Sequence, residues 1–550
     1  MQWHLKNQTQ PKNSQELIEC LLENRGILDK TAFLSPKNPK DFTLAEVGIS
    51  SANLAVAKLR IQTAIKNQER VIIFGDYDVD GVSATAITWE ALKEAGLITQ
   101  PFIPHRIKHG YGLSIKALDE ILGTYAEIKP AKPDLILTVD NGIVAFEALD
   151  YLAKLKIDVI VTDHHQPEGL KKLPVLTTIH SPELCGAGVA WFLAKEIAPK
   201  SPDQWLDLVT LATIADQMPL LNINRSLVVE GLKKFRTNLT RPGLKELVKL
   251  AAIDVHSLTA EQLSFSLIPR LNAMGRMADG ADSLRLLCVR TQARAMELAA
   301  KLQATNLLRQ ELTFELTASA LAQAEEQKSQ KIIVVSSKDF HEGVIGLLAG
   351  KLLEKFRRPI IAIQISPNSA KASVRSMPGI DIIEFLRRSK AHFWELGGHK
   401  LAAGFVCDPK KVTEISQHLI ESAEKFIQPN KFSEALEVDF DLPEKLVTLE
   451  NLDQTLLLEP FGQANPKPTF VIRNLRVLDL ALIGKSQQHL KLKLSLNNQT
   501  ILAGLAWQKA NWSEQIQLAK FYDFVIQLDQ NLWREKRQLQ LILIDWQLAS

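Results

Sequence analysis

Residues 71–81 read Val-Ile-Ile-Phe-Gly-Asp-Tyr-Asp-Val-Asp-Gly. An apolar run predicts a short strand over Val71–Gly75, and Gly75 opens into three aspartates, Asp76, Asp78 and Asp80, at alternate positions. Three carboxylates this close repel and hold one another protonated unless a cation neutralises them. Hard oxygen donors of this kind suit Mg²⁺ or Mn²⁺. The competing reading is an Asp-rich turn in which one carboxylate caps the following helix, and capping needs only one of the three. An EF-hand loop fits worse, because Gly81 directly follows the third Asp and Ile87, not Glu, holds the twelfth position.

Outward from this stretch, residues 51–230 alternate short apolar strands with amphipathic helices, the pattern of βαβ units and a parallel sheet. Asp134–Val139 runs into Asp140-Asn141-Gly142, and Asp158–Thr162 runs into Asp163-His164-His165. A helix Trp205–Ala215 ends at Asp216. In open α/β sheets ligands bind outside the carboxyl ends of the strands, so these groups converge on one edge. Asp78, Asp80, Asp140, His164 and Asp216 offer four carboxylates and one imidazole, enough for two divalent ions sharing a bridging carboxylate. Asp76 completes one shell or orients its neighbours. The mixed oxygen and nitrogen set favours Mn²⁺ or Mg²⁺ over zinc, and the chemistry is in-line phosphoryl displacement. His165, beside His164, is expected to serve not as a ligand but as a donor to the scissile phosphate or to the leaving oxygen. Taken singly, either histidine is more often structural; the set carries the assignment.

With 550 residues and 61.4 kDa the chain has room for roughly three to four domains. A net charge of +3 permits an anionic partner without demanding one. Cys20, Cys185, Cys288 and Cys407 are far apart, which argues against a zinc ribbon and for a reducing compartment. The opening Met-Gln-Trp-His-Leu-Lys lacks the apolar core of a signal peptide, and no apolar run is long enough to predict a membrane span.

The expected divisions are a helical lead-in over 1–50, the catalytic α/β domain over 51–230, a helical connector over 231–330, a second α/β domain over 331–428 and an all-β barrel over 431–550. The connector is marked by helical spacing from Leu284 to Glu325 without Pro or Gly. In the second α/β unit, Ser373 and Arg375 alternate on a strand and so share one face. Arg375 offers a bidentate fork for a phosphate and Ser373 a hydroxyl. Gly397-Gly398-His399 is a turn that brings backbone close to a ligand and presents one imidazole.

Asp163-His164-His165 behind a strand, with the Asp triplet before it and Asp140 between, resembles the DHH phosphoesterase superfamily. His105-Arg106…Gly110-Tyr111-Gly112, Cys185-Gly186-Ala187-Gly188-Val189, Ile214-Ala215-Asp216…Pro219-Leu220, Arg270-Leu271-Asn272-Ala273…Gly275-Arg276 and Leu396-Gly397-Gly398-His399…Ala402-Ala403-Gly404 narrow the likeness to the RecJ family. The matches run in order from about residue 70 to about residue 470. The resemblance implies a DHH domain, a linking helix, a DHH-associated domain that closes over it and a C-terminal OB-fold. It implies hydrolysis of single-stranded DNA from the 5′ end to 5′-mononucleotides with two Mn²⁺ or Mg²⁺ ions. Catalysis is then assigned to His165, Asp140 and His399. Arg106, Ser373 and Arg375 match positions that bind a 5′-phosphate, and Arg270, Asn272, Arg276 and His399 would contact the strand. In the barrel Trp507, Trp512, Trp533 and the Arg534–Arg537 run are candidates for base and backbone contacts. The resemblance further implies a cytoplasmic monomer in DNA recombination and repair, including mismatch repair, working with a helicase and a single-stranded-DNA-binding protein. Two positions depart from the family pattern: Gln217, where an apolar residue is usual, and His109, where an acidic one is common. The metal set alone leaves open a DHH enzyme acting on cyclic dinucleotides, short oligonucleotides or pyrophosphate. A decayed, non-enzymatic scaffold is the third possibility, but every candidate ligand is present.

Overall fold

The computed structural model describes residues 2–110, 112–128, 132–167, 172–428, 435–496, 500–533 and 536–549. Its first strand, β1 (Gln2–Leu5), stands apart from the catalytic domain. The sheet that carries the site is built from β2 (Val71–Phe74), β3 (Thr99–Phe102), β4 (Leu135–Val139), β5 (Asp158–Asp163) and β6 (Thr177–His180). Their order is β3-β2-β4-β5-β6 and all neighbours run parallel. Every residue of β2 and β4 is buried, as expected of central strands covered on both faces. The edge strands β3 and β6 are short and only partly buried, so neither left a clear apolar run in the sequence. Helices Val79–Glu94, Gly186–Ile197 and Leu206–Ala215 cover one face, with Val82, Ala86, Trp191 and Leu208 in its core. Ile115–Ile128 and Phe146–Lys154 cover the other through Leu118, Leu149 and Leu152. All five strands therefore deliver their carboxyl ends to one edge.

The connector differs from the single run expected over Leu284–Glu325. That run is split between two helices, Ala281–Cys288 and the 35-residue Gln292–Glu326. Tertiary contacts make the break. Arg241 donates to the Leu287 carbonyl and, at 2.8 Å, to Glu90, which also receives Arg290 at 2.6 Å. Val289 and Thr291, both β-branched, stand in extended conformation on either side of that anchor.

The second sheet combines β7 (Ile333–Ser337), β8 (Ile360–Ile365), β9 (Ala370–Arg375), β10 (Glu395–Gly398) and β11 (Ala402–Cys407) in the order β10-β11-β9-β8-β7. Only the β7–β8 pair is parallel. On β9 burial alternates: Ala370, Ala372 and Val374 face the core, while Lys371, Ser373 and Arg375 share the open face.

The C-terminal strands are β12 (Ala435–Val438), β13 (Phe440–Asp441), β14 (Phe470–Ile483), β15 (His489–Leu496), β16 (Thr500–Ala506), β17 (Phe521–Trp533) and β18 (Lys536–Leu548). β14 pairs with both β15 and β17, which closes a five-stranded barrel. The lead-in expected to be helical over 1–50 is divided: its first part, to Phe33, packs on this barrel, while Val47 and Ile49 join the catalytic domain's core. β1 pairs in parallel with β12, and the helix Ser14–Asn24 buries Leu17, Leu21 and Leu22 in the barrel's core. The reason is composition: the helix has an apolar stripe that must be covered, and the barrel end supplies the cover. Arg225 fastens this unit to the catalytic domain by donating to the carbonyls of Phe33 (2.7 Å), Leu458 (3.0 Å) and Glu459 (2.7 Å). Among the described residues no helix is long and apolar enough to cross a membrane.

Candidate active site

Gly75 follows β2 and has no room for a side chain, since a Cβ there would lie 2.0 Å from Thr85 Oγ1. The chain then turns into the helix Val79–Glu94. Asp78 caps that helix, accepting from the Gly81 amide at 3.0 Å. The capping role is therefore real, and it occupies one aspartate of three. Asp80, 3% exposed, accepts from the amides of Gly186 (2.6 Å) and Ala187 (2.7 Å) at the start of the helix Gly186–Ile197. Those two amides and the helix dipole hold a carboxylate deep in the protein.

Asp140 follows β4 in a left-handed conformation, φ 62°, with its amide donating to the Thr162 carbonyl. Its Oδ1 is buried and has no hydrogen-bond partner among the described residues. His164 comes off the end of β5. Its Nε2 lies 3.2 Å from Asp140 Oδ1 and 3.7 Å from Asp80 Oδ2, and its Nδ1 lies 3.7 Å from Asp216 Oδ2. Ligand atoms of Asp80, His164 and Asp216 fall within 4.8 Å of one another, as do those of Asp140, His164 and His165. The structure thus places His165 with the donors from which the sequence set it apart, the two imidazole centroids being 4.4 Å apart. Asp76 and Asp78 are outside both groups; Asp76 Oδ1 accepts from the Tyr77 amide at 2.7 Å.

Burial, and then carboxylate neighbours, push Asp76 and Asp140 well above the usual carboxylate range and raise Asp78. The same causes bring Asp216 to about 8. Burial lowers His164. Burial opposes the charge on His165 too, but a 2.8 Å hydrogen bond to Asp163 and the charges of Asp163, Asp216 and Asp80 together outweigh it and raise that imidazole to about 9. Asp163 is held low against its burial by His165 and by the amides of Ile143, His164 and His165. Sequence reasoning gave Asp163 no role, although it lies inside the Asp163-His164-His165 string; it orients His165. A divalent cation fits this donor set. It would neutralise crowded carboxylates that otherwise resist ionisation and would engage the buried Asp140 oxygen that faces His164.

Beside this cluster is a cleft of about 590 Å³ between the two α/β domains. Tyr77, Arg106 and Arg276 line one side, and Ser373 and Arg375 the other. Arg106 stands 5.2 Å from the Tyr77 ring centre. Arg375 donates to Ser373 Oγ at 3.2 Å, so the pair expected from strand alternation is made. Burial, then the charges of Arg106 and Arg375, lower Arg276 to about 10, and burial lowers Arg375. Three guanidinium groups crowded in this way call for an anion.

Three expectations change. Arg270, on the helix Ile268–Met277, turns away to Gln303 (2.7 Å) and the Ser266 carbonyl (2.6 Å). Asn272 accepts from the Val79 amide at 3.0 Å, pinning the aspartate loop. Trp512 is barrel core, 6% exposed, whereas Trp507 is 50% exposed. His399 is exposed at the turn between β10 and β11. His109 is buried: its Nδ1 accepts from the His105 amide and its Nε2 lies 2.9 Å from Glu120, which braces the helical turn bearing Arg106. Tyr111, the Trp533 side chain and residues 534–535 lie outside the described residues.

Profiles described as the DHH family N-terminal domain and the DHHA1 domain match residues 70–213 and 329–425. The acid–imidazole edge and the facing second domain are the parts of a DHH-type phosphoesterase. A third profile, the RecJ OB domain, matches 438–545. The single-stranded-DNA-specific exonuclease RecJ of Bacillus subtilis is 32% identical over 99% of this chain and 70% of its own length. RecJ of Dickeya dadantii is 31% identical over 88% of each chain. The crystal structure of RecJ in complex with Mn²⁺ from Thermus thermophilus superposes with a TM-score of 0.81, 28% identity and coverage of 97% of this chain and 76% of that one. The chain belongs to the RecJ family.

Proposed function

We propose that this protein is a metal-dependent exonuclease that hydrolyses single-stranded DNA from the 5′ end to 5′-mononucleotides. The observation that carries it is the juxtaposition of the Asp80–Asp140–His164–Asp216 cluster with the arginine-lined cleft. Asp80, Asp140, His164 and Asp216 hold Mn²⁺ or Mg²⁺, with Asp76 and Asp78 supplying further negative charge. The bound ions supply charge neutralisation at the phosphate and an acidified water at neutral pH. His165, aimed by Asp163, donates to a phosphate or leaving oxygen. Arg106, Ser373 and Arg375, supported by Arg276, seat the terminal 5′-phosphate and so set which bond meets the cluster. His399 contacts the strand from its turn. The barrel binds the outgoing strand, with Trp507 available for stacking. A cytoplasmic setting, roles in recombination and repair including mismatch repair, and work alongside a helicase and a single-stranded-DNA-binding protein complete the reading.

The test is digestion of one single-stranded oligonucleotide, labelled at either end, with Mn²⁺ and with EDTA. The expected result is Mn²⁺-dependent release of labelled mononucleotide first from the 5′ label. Release first from the 3′ label would reverse the polarity, and wild-type activity in Asp140→Ala would remove the site.

A further inference from the structure

The open face of the second sheet is ordered in rows. Arg375 pairs with Ala402; Ser373 pairs with Gly404, which pairs with Gly397; and Lys371 pairs with Val406, which pairs with Glu395. All line the same cleft. Because pairs in register share a face, the cleft floor grades along β9 from an arginine row through a serine–glycine row to a mixed row in which Lys371 and Glu395 flank Val406. Successive rows are about 6.6 Å apart, two residues along a strand.

A second carboxylate stands over the last row. Glu342 also lines the cleft and pairs with Lys371 of that row at 2.6 Å. Its loop is fixed: Arg276 donates to the Gly343 carbonyl at 3.4 Å, Gly343 donates to His341 Nδ1 at 3.0 Å, and a Cβ on Gly343 would lie 2.0 Å from the Arg276 carbonyl. The cationic end thus holds Arg106, Arg276 and Arg375, while the far end sets two carboxylates against one already paired lysine.

We infer that Glu342 and Glu395 are specificity-determining residues that admit a terminal 5′-monophosphate and repel any further phosphate beyond it. A single phosphate is satisfied at Arg375 and Ser373. The next phosphate of a 5′-oligophosphate or of a continuing chain meets like charge, which favours cutting from an end. This inference rests on the exonuclease reading above.

The experiment compares one single-stranded oligonucleotide carrying a 5′-monophosphate or a 5′-triphosphate, with Mn²⁺. The enzymes are wild type, Glu342→Gln, Glu395→Gln and the double variant. Gln keeps the shape and removes the charge. Wild type should digest the monophosphate at least about tenfold faster, and the double variant should bring the two rates within roughly threefold, with its monophosphate rate nearly unchanged. A wild type that takes both ends equally, or a folded double variant with an unaltered ratio, overturns the inference. A wild type inert on the monophosphate strand overturns the parent reading instead.

Discussion

Gly186 is the position where one methyl group tests the geometry of the whole site. A Cβ built there falls 2.5 Å from both Cβ and Oδ1 of Asp140, about half an ångström inside the closest approach real Cβ atoms make. Neither side can yield freely. Asp140 is held in left-handed backbone by its amide bond to Thr162, and Gly186 donates to Asp80 at 2.6 Å. Gly186→Ala should therefore move Asp140 or lift the helix start off Asp80. Overpacking of this kind costs roughly 1–3 kcal/mol in stability. A displacement approaching 1 Å at a reacting centre costs on the order of a hundredfold in rate. The assay is single-turnover digestion of a 5′-phosphorylated single strand, with Mn²⁺ affinity measured by titration calorimetry and folding by circular dichroism. Gly188→Ala is the control, since its Cβ would meet Leu184 at 3.1 Å and nothing in the cluster. Gly186→Ala should lose about two orders of magnitude in rate and bind Mn²⁺ more weakly while staying folded. Near-wild-type rate and affinity would show that the Asp140–Gly186 contact does not govern the site.

Three further outcomes follow from the packing and the charges. Without metal, Asp140→Asn should melt at a higher temperature than wild type, because it removes one of the crowded buried carboxylates; Mn²⁺ should raise wild type, by about 2.7 kcal/mol at a hundredfold excess over Kd, but not the variant, as a thermal-shift series would read. For Glu90, burial favours the neutral acid, but Arg241, Arg290 and Trp205 hold the pKa below its usual value. A lowered folded pKa gives stability present above the unfolded value and lost as pH falls through the folded one. Glu90→Gln should thus cost on the order of 3 kcal/mol at pH 7 and flatten the loss of stability on acidification, measured by urea unfolding from about pH 7 down to about pH 3. Arg225→Met should leave the carbonyls of Phe33, Leu458 and Glu459 unpaired, cost on the order of 3 kcal/mol and expose residues 457–467 to limited proteolysis.

The elements that declared themselves in the sequence are those with one dominant local cause. β2 is apolar throughout and β4 is apolar but for Thr138 because both faces are covered, and each runs into carboxylates at a buried edge. Ser373 and Arg375 were legible from period two alone. What could not be read was decided by contacts far along the chain. Arg270 and Asn272 sit in a motif of polar residues, yet Gln303 claims one and the Val79 amide the other. The break after Cys288 follows from Glu90, some two hundred residues earlier. Asp163 was hidden by its neighbours, since two histidines drew the assignment while the residue that aims one of them preceded both.

The pairing of β1 with β12 has a consequence for how the protein is made. Gln2 finds Ala435 as its partner, so β1 waits on the ribosome for more than four hundred further residues before its ladder can form. At about 5–20 residues per second that interval is roughly twenty seconds or longer. Meanwhile the helix Ser14–Asn24 carries an uncovered apolar stripe. The catalytic domains can collapse in the interval, but β1 and its helix find their cover only when the barrel forms, and until then they are the part of the nascent chain most in need of protection.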